Sequence, residues 1–527
     1  MFIPTKLNIA KTILPLTLIS ILSACGGGGG GILNDSNSVT PIGSNTTTWT
    51  ANEFARASQF KGQCQASDEK NWLRSWSNET YLWYDEIIDT DPALTSGVLD
   101  YFEQLKTNEL TESGAKKDNF HFNLPTDEWE RQNQAGVSYG YGFNIKILAS
   151  SAPRQAIISY TQPNTPASNQ NLTRGFELVE VDGIDFVNTN SSNDVSVINA
   201  GLFPTQTGKV TEFVFKDINT NENRTVTLTS QNITSQPVSN VRTDLANGEV
   251  GYFQFNSHNA IAEEQLYNAF NQLAASDIKD LVIDIRYNGG GLLQMASQIA
   301  YMIAGNSNTQ GKVFERTIFN DKNPNTNPIT GQALTPMSFT NQFVGFESNP
   351  SITPGTPLPT LNLNRVFVLT TSSTCSASEA IINGLRGADV EVIQVGSGTC
   401  GKPYGFYPTD NCDTTYFTIQ FTGENNKGFG EFSDGFAPQN TLDNALQPVL
   451  IAGCAVADDF TTSLGDANEA LLKTALSYRT TESCPAPSST SSKQGFAPSI
   501  VDDSPKVEDT RVQTMLNQNI ILSDNIR

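Results

Sequence analysis

Two short segments carry the residue types that acyl transfer needs. Thr374-Cys375-Ser376-Ala377-Ser378-Glu379 supplies a serine hydroxyl, and Gly398-Thr399-Cys400-Gly401-Lys402 supplies a lysine amine 26 positions further on. A serine hydroxyl is a weak nucleophile near neutral pH and needs an adjacent base; a lysine serves only when burial lowers its pKa. Ser376 is therefore the candidate nucleophile and Lys402 the candidate base. Ser378 competes for the first role, but two positions along a helix it points the other way, so only one of the two can face a cleft. A different assignment takes His258 as base, because His258, Asp284 and Ser376 together hold the groups of a triad.

These residues need a frame. Leu281-Val282-Ile283-Asp284-Ile285-Arg286-Tyr287-Asn288-Gly289-Gly290-Gly291 reads as a buried strand running into a glycine turn that opens a helix. Such a turn can aim N–H groups at an oxyanion. Ser376 is expected to begin a helix from Ala377 to Leu385, where unpaired N–H groups and the positive dipole end favour developing negative charge. The backbone amides of Ala377 and of Gly290 or Gly291 are the candidate oxyanion donors.

From Val250 to Tyr478 strand-like segments (Val250 to Phe255, Asp280 to Ile285, Arg365 to Leu369, Val392 to Val395) alternate with helical periodicity, which implies a layered α/β core. Asn306 to Asn362, rich in Asn, Pro and Thr, is long for a plain connection and reads as a lid or substrate-facing excursion. Between Val137 and Ser230 short alternating strands with turn signals predict a small β-domain. From Cys64 to Trp129 aromatic and aliphatic residues, Trp72 and Trp76 among them, recur at helical spacing; the stripe reads as core rather than a ligand box.

At 527 residues the chain is long enough for about three or four domains. Its formal charge of −22, from 32 basic and 54 acidic residues, argues against a nucleic-acid partner and fits a soluble exported body. The start has the layout of a secretory signal: lysines at 6 and 11, an apolar stretch from Ile13 to Leu22, then small residues. Leu22-Ser23-Ala24-Cys25 resembles a bacterial lipobox, which implies lipidation at Cys25, with Gly26 to Gly31 as a flexible tether. The apolar run is shorter than the ~20 residues that span a bilayer. The six other cysteines, Cys64, Cys375, Cys400, Cys412, Cys454 and Cys484, permit three disulfides. Sequence proximity favours Cys400 with Cys412 and Cys454 with Cys484. Spacing and a content of two histidines argue against a metal site, and nothing calls for a cofactor.

Two resemblances follow from the motifs. Gly140-Tyr141-Gly142-Phe143-Asn144-Ile145, with Pro166-Ala167 and Gly175-Phe176-Glu177-Leu178-Val179-Glu180-Val181-Asp182-Gly183, resembles a PDZ domain, with Gly175-Phe176 where that pattern has Gly-Asp. A peptide would add there as a strand, its terminal carboxylate held by backbone N–H groups of Gly140, Tyr141, Gly142 and Phe143. Across residues 64 to 480 the chain resembles the carboxyl-terminal processing proteases, S41 family serine peptidases. Four motifs in order carry this: Val250-Gly251-Tyr252-Phe253, Asp284-Ile285-Arg286-Tyr287-Asn288-Gly289-Gly290-Gly291, Ser376-Ala377-Ser378-Glu379 and Val395-Gly396-Ser397-Gly398-Thr399-Cys400-Gly401-Lys402.

The resemblance implies a multidomain α/β chain with an N-terminal helical domain, a PDZ-like β-domain and a serine protease core of the ClpP/crotonase-like α/β kind. It implies Ser376 as nucleophile, Lys402 as general base and later acid, and Asp284, Arg286 and Glu379 as supporting polar residues. Some members place a glutamine four residues after the lysine to orient it; this chain has Phe406 there. The expected organisation is a signal peptide over 1–24, a lipidated Cys25 and tether over 25–60, a helical domain over 61–133, a PDZ-like domain over 134–235, a catalytic core over 245–480 and a mostly disordered tail over 485–527. The expected function is an endopeptidase acting near the C-terminal tails of exported polypeptides, lipid-anchored in the envelope of a Gram-negative bacterium, with Gly26 pointing to the outer membrane. The alternatives are a catalytically silent scaffold binding peptide C-termini and the His258-Asp284-Ser376 triad hydrolase.

Overall fold

The computed structural model describes residues 49–133, 135–442, 447–485, 505–507 and 518–520, the last as backbone. The expected signal peptide, Cys25, the tether up to residue 48 and much of the expected tail lie outside the described residues.

A six-stranded sheet carries the core in the order Val238–Leu245, Val250–Phe255, Asp280–Asp284, Arg365–Thr370, Glu391–Gly396, Gly453–Ala455. All its neighbours pair in parallel except the first pair. Successive side chains on a strand face opposite ways, so a central strand must be apolar on both. Phe253, Ile283, Val368 and Val392 join one apolar cluster with the helices Ala262–Ala275, Leu293–Thr309 and Ala377–Gly387. Their neighbours Tyr252, Val282, Phe367 and Ile393 join a second, with Leu471, Leu472 and Ala475 of the helix Ala470–Thr481. This burial is why the sequence reads as near-continuous hydrophobic runs there.

The excursion after the helix Leu293–Thr309 is packed rather than lid-like. Val313–Phe319 pairs with Phe421–Glu424, and Phe339 and Phe343 are buried in the central cluster. The Glu263 carboxylate accepts from the amides of Val344 (2.5 Å), Gly345 (2.8 Å) and Phe346 (3.1 Å), which anchors the loop without regular structure.

The N-terminal region is helical over Ala66–Thr80 and packs into the core. Trp72 and Trp76 stack at 5.1 Å and both lean on Tyr416. Phe122–Pro125 pairs with Thr414–Phe417. The strands Phe143–Ala149, Gln155–Thr161, Phe176–Val181, Val210–Asp217 and Asn223–Thr229 form a second, antiparallel sheet with its own apolar cluster, which includes Val195, Ile198 and Leu202 of the helix Ser192–Leu202. Among the described residues, no helix is long and apolar enough to cross a membrane.

Candidate active site

The glycine turn, the serine turn and the lysine loop all follow the C-terminal ends of adjacent parallel strands, Asp280–Asp284, Arg365–Thr370 and Glu391–Gly396. Open α/β sheets bind ligands outside those ends.

Ser376 sits on the turn between the strand Arg365–Thr370 and the helix Ala377–Gly387, at φ 61°, ψ −116°. A non-glycine residue held there costs roughly 1–3 kcal/mol, and such backbone clusters at active sites. Cys375, just before it, donates its amide to Asn288 O (3.1 Å), and the Ser376 amide donates to a Glu379 carboxylate oxygen (2.8 Å). The Ser376 side chain is buried, and its Oγ has no hydrogen-bond partner among the described residues. The Ser378 hydroxyl is committed to Asn288 O (3.0 Å), which leaves Ser376 as the candidate nucleophile.

Glu379 also gathers the lysine loop. Its carboxylate accepts from Thr399 Oγ1 (2.5 Å), the Gly401 amide (2.9 Å) and the Lys402 amide (2.9 Å). Burial pushes its pKa up, and these donors pull it back. One carboxylate thus fixes the backbone of both candidate catalytic residues. A disulfide does the same covalently: Cys375 pairs with Cys400, two positions before Lys402. Cys412, expected to take Cys400, pairs with Cys64 instead, because the fold brings the serine turn to Cys400 and the N-terminal region to Cys412. Cys454 pairs with Cys484 as expected. Among the described residues the one group of metal-ligating types is Cys375, Glu379 and Cys400, and the disulfide takes both of its thiols.

Lys402 is fully buried, and burial draws its pKa down to about 7, against the opposing pull of Asp118 and Glu379. Its Nζ lies 4.4 Å from the centroid of Phe406 and 4.8 Å from that of Phe120. Two aromatic faces thus flank the amine, one of them that of Phe406. Phe120 and Asp118 come from the N-terminal region, which makes that region part of the base's surroundings.

His258 is also buried, and its pKa falls to about 3, so it is neutral. Its Nδ1 meets Asn288 Oδ1 at 3.0 Å. Asp284, the acid a triad would need, instead accepts from Tyr252 Oη (2.8 Å) and Arg286 Nε (2.9 Å). Arg286 further binds Glu469 through two contacts (2.8 and 3.0 Å) and Asp458 (2.8 Å). Asp284 and Arg286 therefore belong to a buried ion network under the glycine turn. That network reaches the serine turn through the backbone, since Thr374 Oγ1 donates to Ile285 O (2.9 Å) and Thr371 Oγ1 to Arg286 O.

The Gly290 amide donates to Asn288 Oδ1 (2.9 Å), so it is taken. Gly291, at φ 137°, must be glycine: a Cβ would lie 2.7 Å from His258 O. His258 N donates to Gly290 O and Leu292 N to His258 O, so the peptide groups of Gly291 point to the opposite edge of the strand Gly290–Leu292. That leaves the Gly291 amide, on this opposite edge, and the Ala377 amide at the helix start as the oxyanion candidates.

The Gly140 to Phe143 segment is a bend between two strands. Tyr141 is buried and donates its hydroxyl to Gly201 O (2.9 Å); Gly142, at φ 91°, has no room for a Cβ beside Thr165. This sheet meets the core through Arg174, which binds Asp458 (2.7 Å) and Tyr287 Oη (2.6 Å), and through Lys146, which donates to Ser373 of the serine turn.

Residues 249–416 match the family model Peptidase family S41. A carboxyl-terminal-processing protease of Picosynechococcus is 28% identical over 201 residues, covering 38% of this chain and 47% of that protein. A chloroplastic C-terminal processing peptidase of Tetradesmus obliquus is 32% identical over 186 residues, covering 33% of this chain and 38% of that protein. The chain thus spans less than half the length of these relatives. A crystal structure of a Bacteroides fragilis protein described as an S41 protease aligns over 78% of this chain and 97% of that one, with a TM-score of 0.56 at 20% identity, a likeness of fold. Residues 249–416, which hold the serine turn, the lysine loop and the glycine turn, are thus the part of the chain that is similar to peptidase family S41.

Proposed function

We propose that the protein is a serine endopeptidase working through a Ser376–Lys402 dyad on exported polypeptides, near their C-terminal tails. In the first half-reaction Ser376 Oγ attacks the scissile carbonyl while neutral Lys402 Nζ takes its proton. The amides of Ala377 and Gly291 would receive the oxyanion, each such donor contributing about 2.7–4 kcal/mol in comparable sites. Lys402 then returns the proton to the leaving amine, and water hydrolyses the ester.

The observation that carries this reading is a buried lysine with its pKa drawn to about 7 on a loop that one carboxylate and one disulfide tie to the strained turn of a buried serine. The carboxyl-terminal-processing relatives support C-terminal tails as substrate. The antiparallel sheet over 134–235 is read as a PDZ-like domain that presents them, with Gly140 to Phe143 at the carboxylate end. Lipidation at Cys25 would hold the protein in the Gram-negative envelope. The triad alternative is disfavoured because His258 is paired with an amide and Asp284 with Tyr252 and Arg286. The silent scaffold is disfavoured by the presence of both Ser376 and Lys402. Hydrolysis of a peptide library with free and amidated C-termini tests the reading: preference for free carboxylates is expected, and no turnover of either set, with wild-type and Ser376→Ala proteins alike, would refute it.

A further inference from the structure

The strand Gly290–Leu292 has two edges. One bonds to His258; the other, towards which the Gly291 peptide groups point, is the edge where an incoming peptide would add. Residues Gln518–Ile520 of this same chain lie along that edge, parallel and in the register Gly290↔Gln518, Gly291↔Asn519, Leu292↔Ile520. They also contact Tyr404–Gly405, just past Lys402, and the helix that begins after Ser376. The segment therefore lies among all three parts of the site.

A second anchor lies upstream. Val507 is buried in the apolar cluster of the antiparallel sheet, its amide donates to Ser150 O (3.2 Å), and Arg154 donates to Pro505 O (2.5 Å). Ser150 directly follows the strand Phe143–Ala149, along which the PDZ resemblance places a peptide. The sequence suits an added strand: residues 512–523 are uncharged and include Val512, Met515, Leu516, Ile520, Ile521 and Leu522, within a chain of net charge −22.

We propose that residues 518–520, added as a strand beside Gly291, are a resident ligand of the peptide path in a chain whose residues 505–507 are held by the antiparallel sheet, so that a substrate must displace them. The proposal rests on the peptidase reading for its consequence but not for its binding. A tethered ligand acts at an effective concentration on the order of millimolar; with an intrinsic Kd of ~100 μM it would raise the apparent KM about tenfold and leave kcat alone. Strand alternation puts the Ile520 amide against Gly291 O, so Ile520→Pro in the full chain removes that bond and disfavours the added strand.

The test compares wild-type and Ile520→Pro full chains on an internally quenched peptide. A KM lower by about tenfold at unchanged kcat, restored by a synthetic peptide of residues 511–524 acting as a competitor, is expected. Equal KM values and no competition would overturn the proposal. A second arm needs no turnover: labelled 511–524 peptide should bind Ser376→Ala/Ile520→Pro about tenfold more tightly than Ser376→Ala alone. Equal binding overturns the resident ligand; differential binding with no hydrolysis by any variant sinks the peptidase reading and keeps the ligand.

Discussion

The serine turn and the antiparallel sheet are held to the core by different means. The turns that carry Ser376 and Lys402 are joined by the Cys375–Cys400 disulfide and by one buried carboxylate with contacts to both backbones, and Asn288 supports the serine turn from below. The antiparallel sheet reaches the same turn through side-chain tips, Lys146 on Ser373 and Arg174 on Asp458 and Tyr287. Reacting groups need placement to a fraction of an ångström, whereas a peptide-presenting body need only bring a chain to the right edge. Chemistry is therefore expected to fail sharply when the first set of ties is cut, and delivery to fail gently when the second is.

The largest effect falls on the reacting groups themselves. Ser376→Ala and Lys402→Arg should each lower kcat by about 10⁴-fold or more, the arginine because a guanidinium stays protonated. His258→Ala should keep the ascending pH limb of the wild type; a dead His258 variant beside a live Lys402 variant would reverse the assignment. Cutting the covalent tie comes next. Cys375→Ser/Cys400→Ser should cost about 3 kcal/mol of stability by chemical denaturation. With the serine turn free to drift by an ångström, kcat should drop by about 10²-fold at little change in KM.

The lysine's surroundings give a smaller, pH-coded effect. In the proposed dyad Lys402 would accept the serine proton only when neutral, so activity should rise with pH through about 7, the value its burial sets. Phe120→Ala opens one side of that pocket to water, which favours the charged amine and moves its pKa back towards ~10.4. The limb should shift to higher pH by about one unit, and activity at neutral pH should fall by up to tenfold while the alkaline plateau is kept. An unshifted limb would show that Phe120 only fills space.

Much of this site was legible from residue types in order. The strand-turn-helix around Ser376 and the glycine turn follow from apolar runs broken by small residues, and Glu379 stood three positions after the serine. Its second role, gathering the lysine loop, required knowing that the strands Arg365–Thr370 and Glu391–Gly396 are neighbours in the sheet. The Cys375–Cys400 bond was in reach of the same argument: if Ser376 meets Lys402, the cysteines beside them meet too, a stronger constraint than the sequence proximity that favoured Cys412. Phe120 could not be found this way. It stands 282 positions before Lys402, and nothing in its local pattern separates it from other core aromatics. Asp284 and Arg286 read as supporting polar residues in the sequence, but their partners Tyr252, Asp458 and Glu469 are long-range contacts that no local pattern gives.

The smallest effect sharpens the comparison most. Lys146 is partly buried, and desolvation lowers its pKa against an opposing pull from Asp458. Its contact with Ser373 joins the antiparallel sheet to a position three residues before Ser376. Lys146→Met keeps the length and apolar stem and removes the donor, so the fold should survive. If the sheet serves delivery, KM for a peptide with a free C-terminus should rise by roughly two- to tenfold with kcat unchanged, the size expected for one hydrogen bond of about 0.5–1.5 kcal/mol. A loss of kcat comparable to that of the disulfide variant would mean the sheet helps to set the serine turn itself. The two regions would then be one device rather than a fixed centre with a compliant feeder.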